Sequence, residues 1–287
     1  MSKKIELLNP GAVLTDVDRT LLNNNRQLSE KNQEAIRNYL NECRQNPQFP
    51  RLALCTARHP AALINTVLPI FAELVPESVH VVCDGAMLID AKGKVIWQEA
   101  IDPSLVKQIC RDVESLGGSF AFGNGEVFYC GNAFLEERLE GNEPIEFLPS
   151  ITIKDEESWT TTLIIVNHLN EAVEEYLRGL KDKLSLHLQK ILSTFNHQYY
   201  YNLTLDNVSK AKGLRKWAEY YHLNAENIVM IGDSENDIEA MEVGIGVAVA
   251  NAKPAVKEVA RLVLEQSNDD CAVACFLQEI LKTMAKP

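Results

Sequence analysis

Four short strings of this sequence carry side chains that could do chemistry together. Asp16-Val17-Asp18-Arg19-Thr20 follows the apolar run Ala12-Val13-Leu14 with one residue, Thr15, between them. Two carboxylates crowded at the end of a buried strand repel each other unless a cation sits between them. Magnesium suits that place, because it takes oxygen ligands and commonly uses one or two carboxylates together with a substrate phosphate. The second string, Gly232-Asp233-Ser234-Glu235-Asn236-Asp237, follows another apolar run, Ile228-Val229-Met230-Ile231. By itself Asp-Ser is an ordinary helix N-cap. Its meaning changes beside the first string, since ligands of an open parallel sheet bind beyond the carboxyl ends of its strands.

The third string is Thr56-Ala57-Arg58, after Leu52 to Cys55 and shortly before Pro60. A hydroxyl and free backbone N–H groups at such a turn can hold phosphate oxygens; a plain strand-to-helix turn would read the same way. The fourth is Lys210 in Val208-Ser209-Lys210, at the first turn of a helical stretch. A lysine there opposes the helix dipole, so helix stability does not account for it. A lone surface lysine is the alternative.

The elements that must position these groups can be read from the pattern of apolar residues. Ala12 to Leu14, Leu52 to Cys55 and Val79 to Val82 read as buried strands, with helical stretches from Ser29 to about Cys43 and from Pro60 to about Leu74 between them. The order β-α-β-α-β implies a parallel sheet with helices on its faces. The same pattern returns late. A helix runs from Ser209 to near Tyr221, and strands are expected at Ile228 to Ile231, Val247 to Val249 and Leu262 to Leu264. A closing helix spans about Asp270 to Met284. The middle differs: a helix over Leu105 to Leu116, a hairpin signal at Asn124-Gly125, a strand over Thr160 to Val166, a helix over Glu171 to Leu184, and β-rich runs at Leu186 to Leu192 and Tyr199 to Leu205. The fold class is therefore α/β, a parallel-sheet core with an inserted α+β domain. The core is expected at residues 1–86 and 206–287 and the insert at 87–205.

Bulk properties narrow the setting. The 287 residues carry a formal charge of −12, which argues against a nucleic-acid backbone or an anionic membrane surface as partner. No apolar run approaches the roughly 20 residues of a membrane helix, and the N-terminus lacks a secretory leader's apolar stretch. The seven cysteines contain no CxxC pair and read as reduced thiols. A cytoplasmic protein is expected. Its acidity also means that positive charge for an anionic substrate must come from a metal or from a few placed lysines and arginines.

With the four strings in this order, the chain resembles the haloacid dehalogenase superfamily, specifically its Cof-type phosphatases with a large α/β cap. The stretch Ile231 to Ile238, with Met241 and Asn251-Ala252 after it, matches that branch closely; Asp16-x-Asp18-x-Thr20-Leu21-Leu22, Thr56-x-Arg58 and Val208-Ser209-Lys210 fill its other motifs. The resemblance implies a magnesium-dependent phosphomonoester hydrolase acting on a small phosphorylated metabolite such as a sugar phosphate. It implies that Asp16 is the nucleophile, forming an aspartyl-phosphate, and Asp18 the general acid and base. Magnesium would be held by the Asp16 carboxylate, the Asp18 backbone carbonyl and Asp233, with Asp237 in support. Thr56, Ala57, Arg58, Lys210 and Asn236 would serve the phosphoryl group or substrate, and the inserted domain would select the substrate.

The chain departs from the family pattern at four places. Arg19 and Ala57 stand where glycine is usual, Asp84-Gly85-Ala86 replaces Asn-Gly-Ala, and Lys210-Ala211-Lys212-Gly213 lacks the glycine after the lysine. None removes a group the chemistry needs. A phosphosugar mutase of the same superfamily would share the covalent step but conserve the phosphate. A non-catalytic regulatory member would be marked by loss of Asp16, Asp18 or Asp233, and all three are present. The cap histidines and tyrosines, among them His187, His197 and Tyr199 to Tyr201, read as ordinary strand packing.

Overall fold

The structure, a computed structural model, describes residues 8–123, 128–131, 150–151, 159–181, 184–192 and 198–284. In chain order these form β1 (Ala12–Thr15), α1 (Glu30–Gln45), β2 (Arg51–Leu54), α2 (Leu68–Leu74), β3 (Val79–Val82), β4 (Met87–Asp90) and β5 (Val95–Gln98). Next come α3 (Pro103–Ser115), β6 (Ser119–Gly123), β7 (Phe128–Cys130), β8 (Ser150–Ile151), β9 (Ile164–Asn167), α4 (Glu171–Lys181), β10 (Leu186–Leu192) and β11 (Tyr199–Leu205). The chain closes with α5 (Lys210–Tyr220), β12 (Ile228–Gly232), α6 (Ile238–Val243), β13 (Ile245–Ala248), α7 (Pro254–Val259), β14 (Leu262–Val263) and α8 (Ala272–Met284).

Contacts divide the described chain into two compact units. The first draws on Met1–Arg58, Leu63–Trp97 and Ser209–Pro287, the second on His59–Ala62 and Gln98–Val208. The hairpin strand β4 thus groups with the first unit, beyond the expected break at residue 86.

The first unit is built on a five-stranded sheet in the order β14-β13-β12-β1-β2, with every neighbouring pair parallel. A parallel bridge between Cys55 and Val81 brings β3 alongside β2, and β3 turns back antiparallel onto β4. The chain runs from β1 out to β2 and β3, then returns on the other side of β1 as β12. This reversal makes the carboxyl end of β1 a topological switch point, where crevices form. Ala12 to Thr15 are all buried, as expected of a central parallel strand covered on both faces.

Local chemistry sets the helix starts. Ser29 accepts a hydrogen bond from Asn32 N–H at the head of α1, and Ser209 does the same for Lys212 at the head of α5. The single helix expected from Pro60 to Leu74 is instead a short 3-10 turn, Pro60–Ala62, followed by α2 from Leu68. Pro69 explains the interruption: it lacks an N–H and its ring clashes with the carbonyl four residues earlier, so a helix must begin near it.

The second unit is a six-stranded sheet in the order β10-β11-β9-β6-β7-β8. Val106, Ile109 and Val113 of α3 and Val173 and Leu177 of α4 pack with Phe120, Phe122, Ile164 and Leu203 into one apolar core. Strands β6 and β7 pair antiparallel; the expected turn residues Asn124-Gly125 lie outside the described residues, as does His197. Tyr199 is exposed beside Lys190, while Tyr201 packs against the core.

Candidate active site

Register brings the chemistry together. Thr15 pairs with Ile231 and Leu54 across adjacent strands, so the residues after them emerge side by side at one end of the sheet. Asp16 N–H donates to Ile231 O at 2.8 Å, Cys55 N–H to Thr15 O at 2.8 Å, and Thr56 N–H to Val81 O at 3.0 Å. Asp16, Thr56 and Asp233 are therefore neighbours although they come from distant parts of the chain. The ligand oxygens of Asp16, Asp233 and Asp237 lie within 4.8 Å of one another, and all three residues are buried.

Lys210 lies against two of these carboxylates and is only 1% exposed. Its Nζ donates to Asp16 Oδ1 at 2.7 Å and to Asp237 Oδ1 at 2.6 Å. A lysine so deeply buried is retained only where it is paired. Helix α5 can carry it this close because residue 213 is glycine: a Cβ there would stand 2.6 Å from Gly85 Cα and would overlap Val81. The lysine expected from Val208-Ser209-Lys210 is thus in contact with the acidic strings.

Asp237 has both oxygens engaged. Oδ2 accepts from Asp233 N–H at 2.9 Å and Ser234 N–H at 3.0 Å, while Oδ1 faces Lys210. The side chain folds back beneath its own loop over Gly232, where any Cβ would overlap the Asp237 carboxylate. That close approach explains the glycine at the end of β12. Asp233 accepts from Thr20 Oγ1 at 3.3 Å, and Arg19 Nε stands 3.7 Å from its other oxygen.

Asp18 is half-exposed, and its charge adds to the rise in Asp16. Arg58 grips it in bidentate fashion, Nε to Oδ2 and NH2 to Oδ1, each at 2.7 Å. Arg58 N–H in turn donates to Thr56 Oγ1 at 3.1 Å. Asn236 Nδ2 donates to Asp84 Oδ1 at 2.9 Å, and Asp84 adopts the left-handed conformation (φ 55°) in which asparagine or aspartate is better tolerated than most residues. Ala57 occupies the turn between Thr56 and Arg58. The Arg58–Asp18 and Asn236–Asp84 pairings are not legible from spacing, since neither pair shares a local element.

The electrostatics of the buried group are unbalanced. Burial pushes Asp16 up to about 8; the Lys210 charge pulls against this and the Asp237 charge adds to it. Burial also raises Asp233, again with help from Asp237. For Lys210 burial disfavours the charge, but Asp16 and Asp237 outweigh it and hold the ammonium well above its ordinary range. Asp16 and Asp237 share the one buried ammonium, and Asp233 has only the exposed Arg19 guanidinium near it, so carboxylates outnumber the buried cation. An all-oxygen donor set with surplus charge fits a hard divalent cation such as magnesium. Asp16 and Asp233 are the carboxylates with capacity to hold it, because Asp237 is committed to Lys210 and two N–H groups.

The sequence pattern of the haloacid dehalogenase-like hydrolases matches residues 13–277 of the chain. The chain belongs to that family. Among its relatives is the pyridoxal phosphate phosphatase YbhA of Escherichia coli, 27% identical over 290 residues that cover 92% of this chain and 96% of that one. A phosphoglycolate phosphatase of Methanosarcina acetivorans is 48% identical over 77 residues, which are 26% of this chain and only 34% of that enzyme. In three dimensions this haloacid dehalogenase-like chain is similar to a hydrolase of that type from Bacteroides thetaiotaomicron, with a TM-score of 0.75 at 18% identity, covering 94% and 98% of the two chains. At that identity the likeness speaks for the fold. Among the described residues no helix is long and apolar enough to cross a membrane.

Proposed function

We propose that the chain is a magnesium-dependent phosphomonoester hydrolase working through an aspartyl-phosphate on Asp16. The observation that carries the reading is the meeting of Asp16, Asp233 and Lys210 at the carboxyl ends of β1 and β12. Asp16 and Asp233, with the Asp18 main-chain carbonyl, would hold the magnesium ion. A bound divalent cation there neutralises charge on the phosphoryl oxygens and favours the ionised form of the carboxylates around it.

The remaining work falls to the protein's own groups. Asp16 attacks phosphorus in line, forming an Oδ–P bond as the bond from phosphorus to the leaving oxygen breaks. Asp18 delivers a proton to that leaving oxygen. It then takes one from a water molecule, whose oxygen displaces Asp16 and releases inorganic phosphate. Lys210 holds Asp16 in place and, with the Thr56 hydroxyl and the Ala57 N–H, stabilises the charge of the transferring group. Asn236 supports the substrate from the β12 loop. Arg58 positions the Asp18 carboxylate through a bidentate pair, one oxygen of which must leave the guanidinium while it carries the proton.

Substrate selection is assigned to the second unit, with a small metabolite such as a sugar phosphate as substrate. The acidic charge disfavours nucleic acid as a partner, and the free cysteines suit a reducing cytoplasm, where we place the reaction. The test is phosphate release from a panel of sugar phosphates, phosphoglycolate and pyridoxal 5′-phosphate, with magnesium present or chelated. Wild type should turn over at least one of them only with magnesium, and Asp16→Asn should lose nearly all of that activity. Undiminished release by Asp16→Asn would sink the covalent mechanism. Transfer of phosphate between sugars without net release would favour a mutase.

A further inference from the structure

Arg19 has no part in the reaction as proposed, yet its position is tightly held. Its backbone lies in the left-handed region (φ 55°), where an arginine is strained and glycine is not. A strained residue persists only where its surroundings fix it. Here Arg19 O accepts from Asn251 Nδ2 at 2.8 Å, and Asn251 Oδ1 accepts from Asn268 N–H at 2.8 Å. Buried Asn268 then ties down the same loop by donating to Leu22 O at 3.0 Å. The two asparagines form a clamp on the turn that carries Arg19.

The clamp fixes the backbone from which a guanidinium reaches toward Asp233. Nε stands 3.7 Å from Asp233 Oδ2, too far for a hydrogen bond but close for a charge. The arginine side chain is 65% exposed and that of Asp233 only 3%. Lys210 serves Asp16 and Asp237, and Arg58 serves Asp18. Arg19 is the cation that the described residues place against the remaining carboxylate.

We propose that Arg19 sets the affinity of the site for its divalent cation, keeping it weak by competing for Asp233. The inference rests on the magnesium reading given above. A dication on Asp233 would come within several ångströms of a group that is always charged at physiological pH. At that range, beside a buried carboxylate, repulsion is only partly screened. Because the side chain is largely exposed it can swing into solvent, so it weakens binding without blocking it. In the absence of cation the same guanidinium offsets part of the surplus negative charge.

The test is calorimetric titration of the full chain with magnesium chloride, without substrate, for wild type, Arg19→Gln, Arg19→Gly, Arg19→Lys and Asp233→Asn. Arg19→Gln and Arg19→Gly should both bind magnesium about tenfold more tightly than wild type, and Arg19→Lys should stay within about twofold of it. Equal or weaker binding by Arg19→Gln would overturn the proposal while leaving the metal site intact. Tightening in Arg19→Gly alone would also overturn it, because relief of backbone strain would then be the cause. If wild type and all variants, Asp233→Asn included, gave the same featureless titration, the magnesium reading itself would fall and the inference with it.

Discussion

Both oxygens of the Asp18 carboxylate are held by Arg58, through two hydrogen bonds of 2.7 Å. The fork geometry fixes the plane of the carboxylate as well as its distance, which a single contact could not do. Arg58 is itself anchored through its N–H to Thr56 Oγ1, so the turn after β2 aims a group that belongs to the turn after β1.

If Asp18 handles the proton in both half-reactions, losing its partner should misalign it. Arg58→Ala is expected to lower kcat roughly 10- to 100-fold, within the usual contribution of general acid–base catalysis. Arg58→Lys should recover little, because an ammonium cannot reproduce the bidentate grip. Steady-state kinetics on the best substrate from the phosphate-release panel would check this. A kcat unchanged in Arg58→Ala would remove the orienting role.

Lys210 should matter for folding as much as for catalysis. Lys210→Met leaves Asp16 and Asp237 buried without their counter-charge, a loss that typically costs about 3–5 kcal/mol. Urea unfolding in the absence of magnesium should register that loss, and added magnesium should recover part of it. An unaltered urea midpoint would mean that the buried ion pairs contribute nothing net.

Gly232→Ala tests the folded-back Asp237. The new methyl would overlap the Asp237 carboxylate, forcing it off the Asp233 and Ser234 N–H groups and away from Lys210. Activity should fall about 100-fold, as expected when misplacement of about 1 Å disturbs a reacting group, although the added methyl would touch no substrate. Retention of full kcat would show that Asp237 tolerates displacement.

His80 predicts a pH dependence of stability. It is fully buried in β3, stacks edge-on against Phe71, accepts from Leu54 N–H through Nδ1 at 3.2 Å and faces Ser78 Oγ through Nε2 at 3.1 Å. Burial lowers it from an ordinary 6.5 to about 3. The unfolded chain therefore takes up the proton first as pH falls. The contribution is complete above pH 6.5 and declines as pH drops toward 3, by about 2 kcal/mol at pH 5. Denaturation of wild type and His80→Gln at pH 7 and pH 5 should show a smaller loss in the variant. Equal losses would exclude His80 as the source.

The chemistry of the four strings is legible in the sequence because three of them come at or one residue past the end of an apolar run and the fourth opens a helix. A run such as Ala12-Val13-Leu14 or Ile228 to Ile231 suits a buried strand of a parallel sheet, and the next residues then emerge at its carboxyl end. The family resemblance rests on the same strings, and the match over residues 13–277 agrees with it. The two-part helix around Pro69 is hidden in the sequence, because the apolar periodicity continues through a proline that the backbone cannot accommodate in mid-helix.

Sequence alone, then, determined the fold class and the types of group at the sheet's carboxyl end, since hydrophobic period and strand-end spacing are local properties. The tertiary structure alone decided the partners: Lys210 between Asp16 and Asp237, Arg58 on Asp18, Asn236 on Asp84, and Arg19 beside Asp233. The hydrogen-bonded members of that set join residues from 27 to 194 positions apart. They arise from strand order, register and the close approaches at Gly213 and Gly232, which no local pattern encodes.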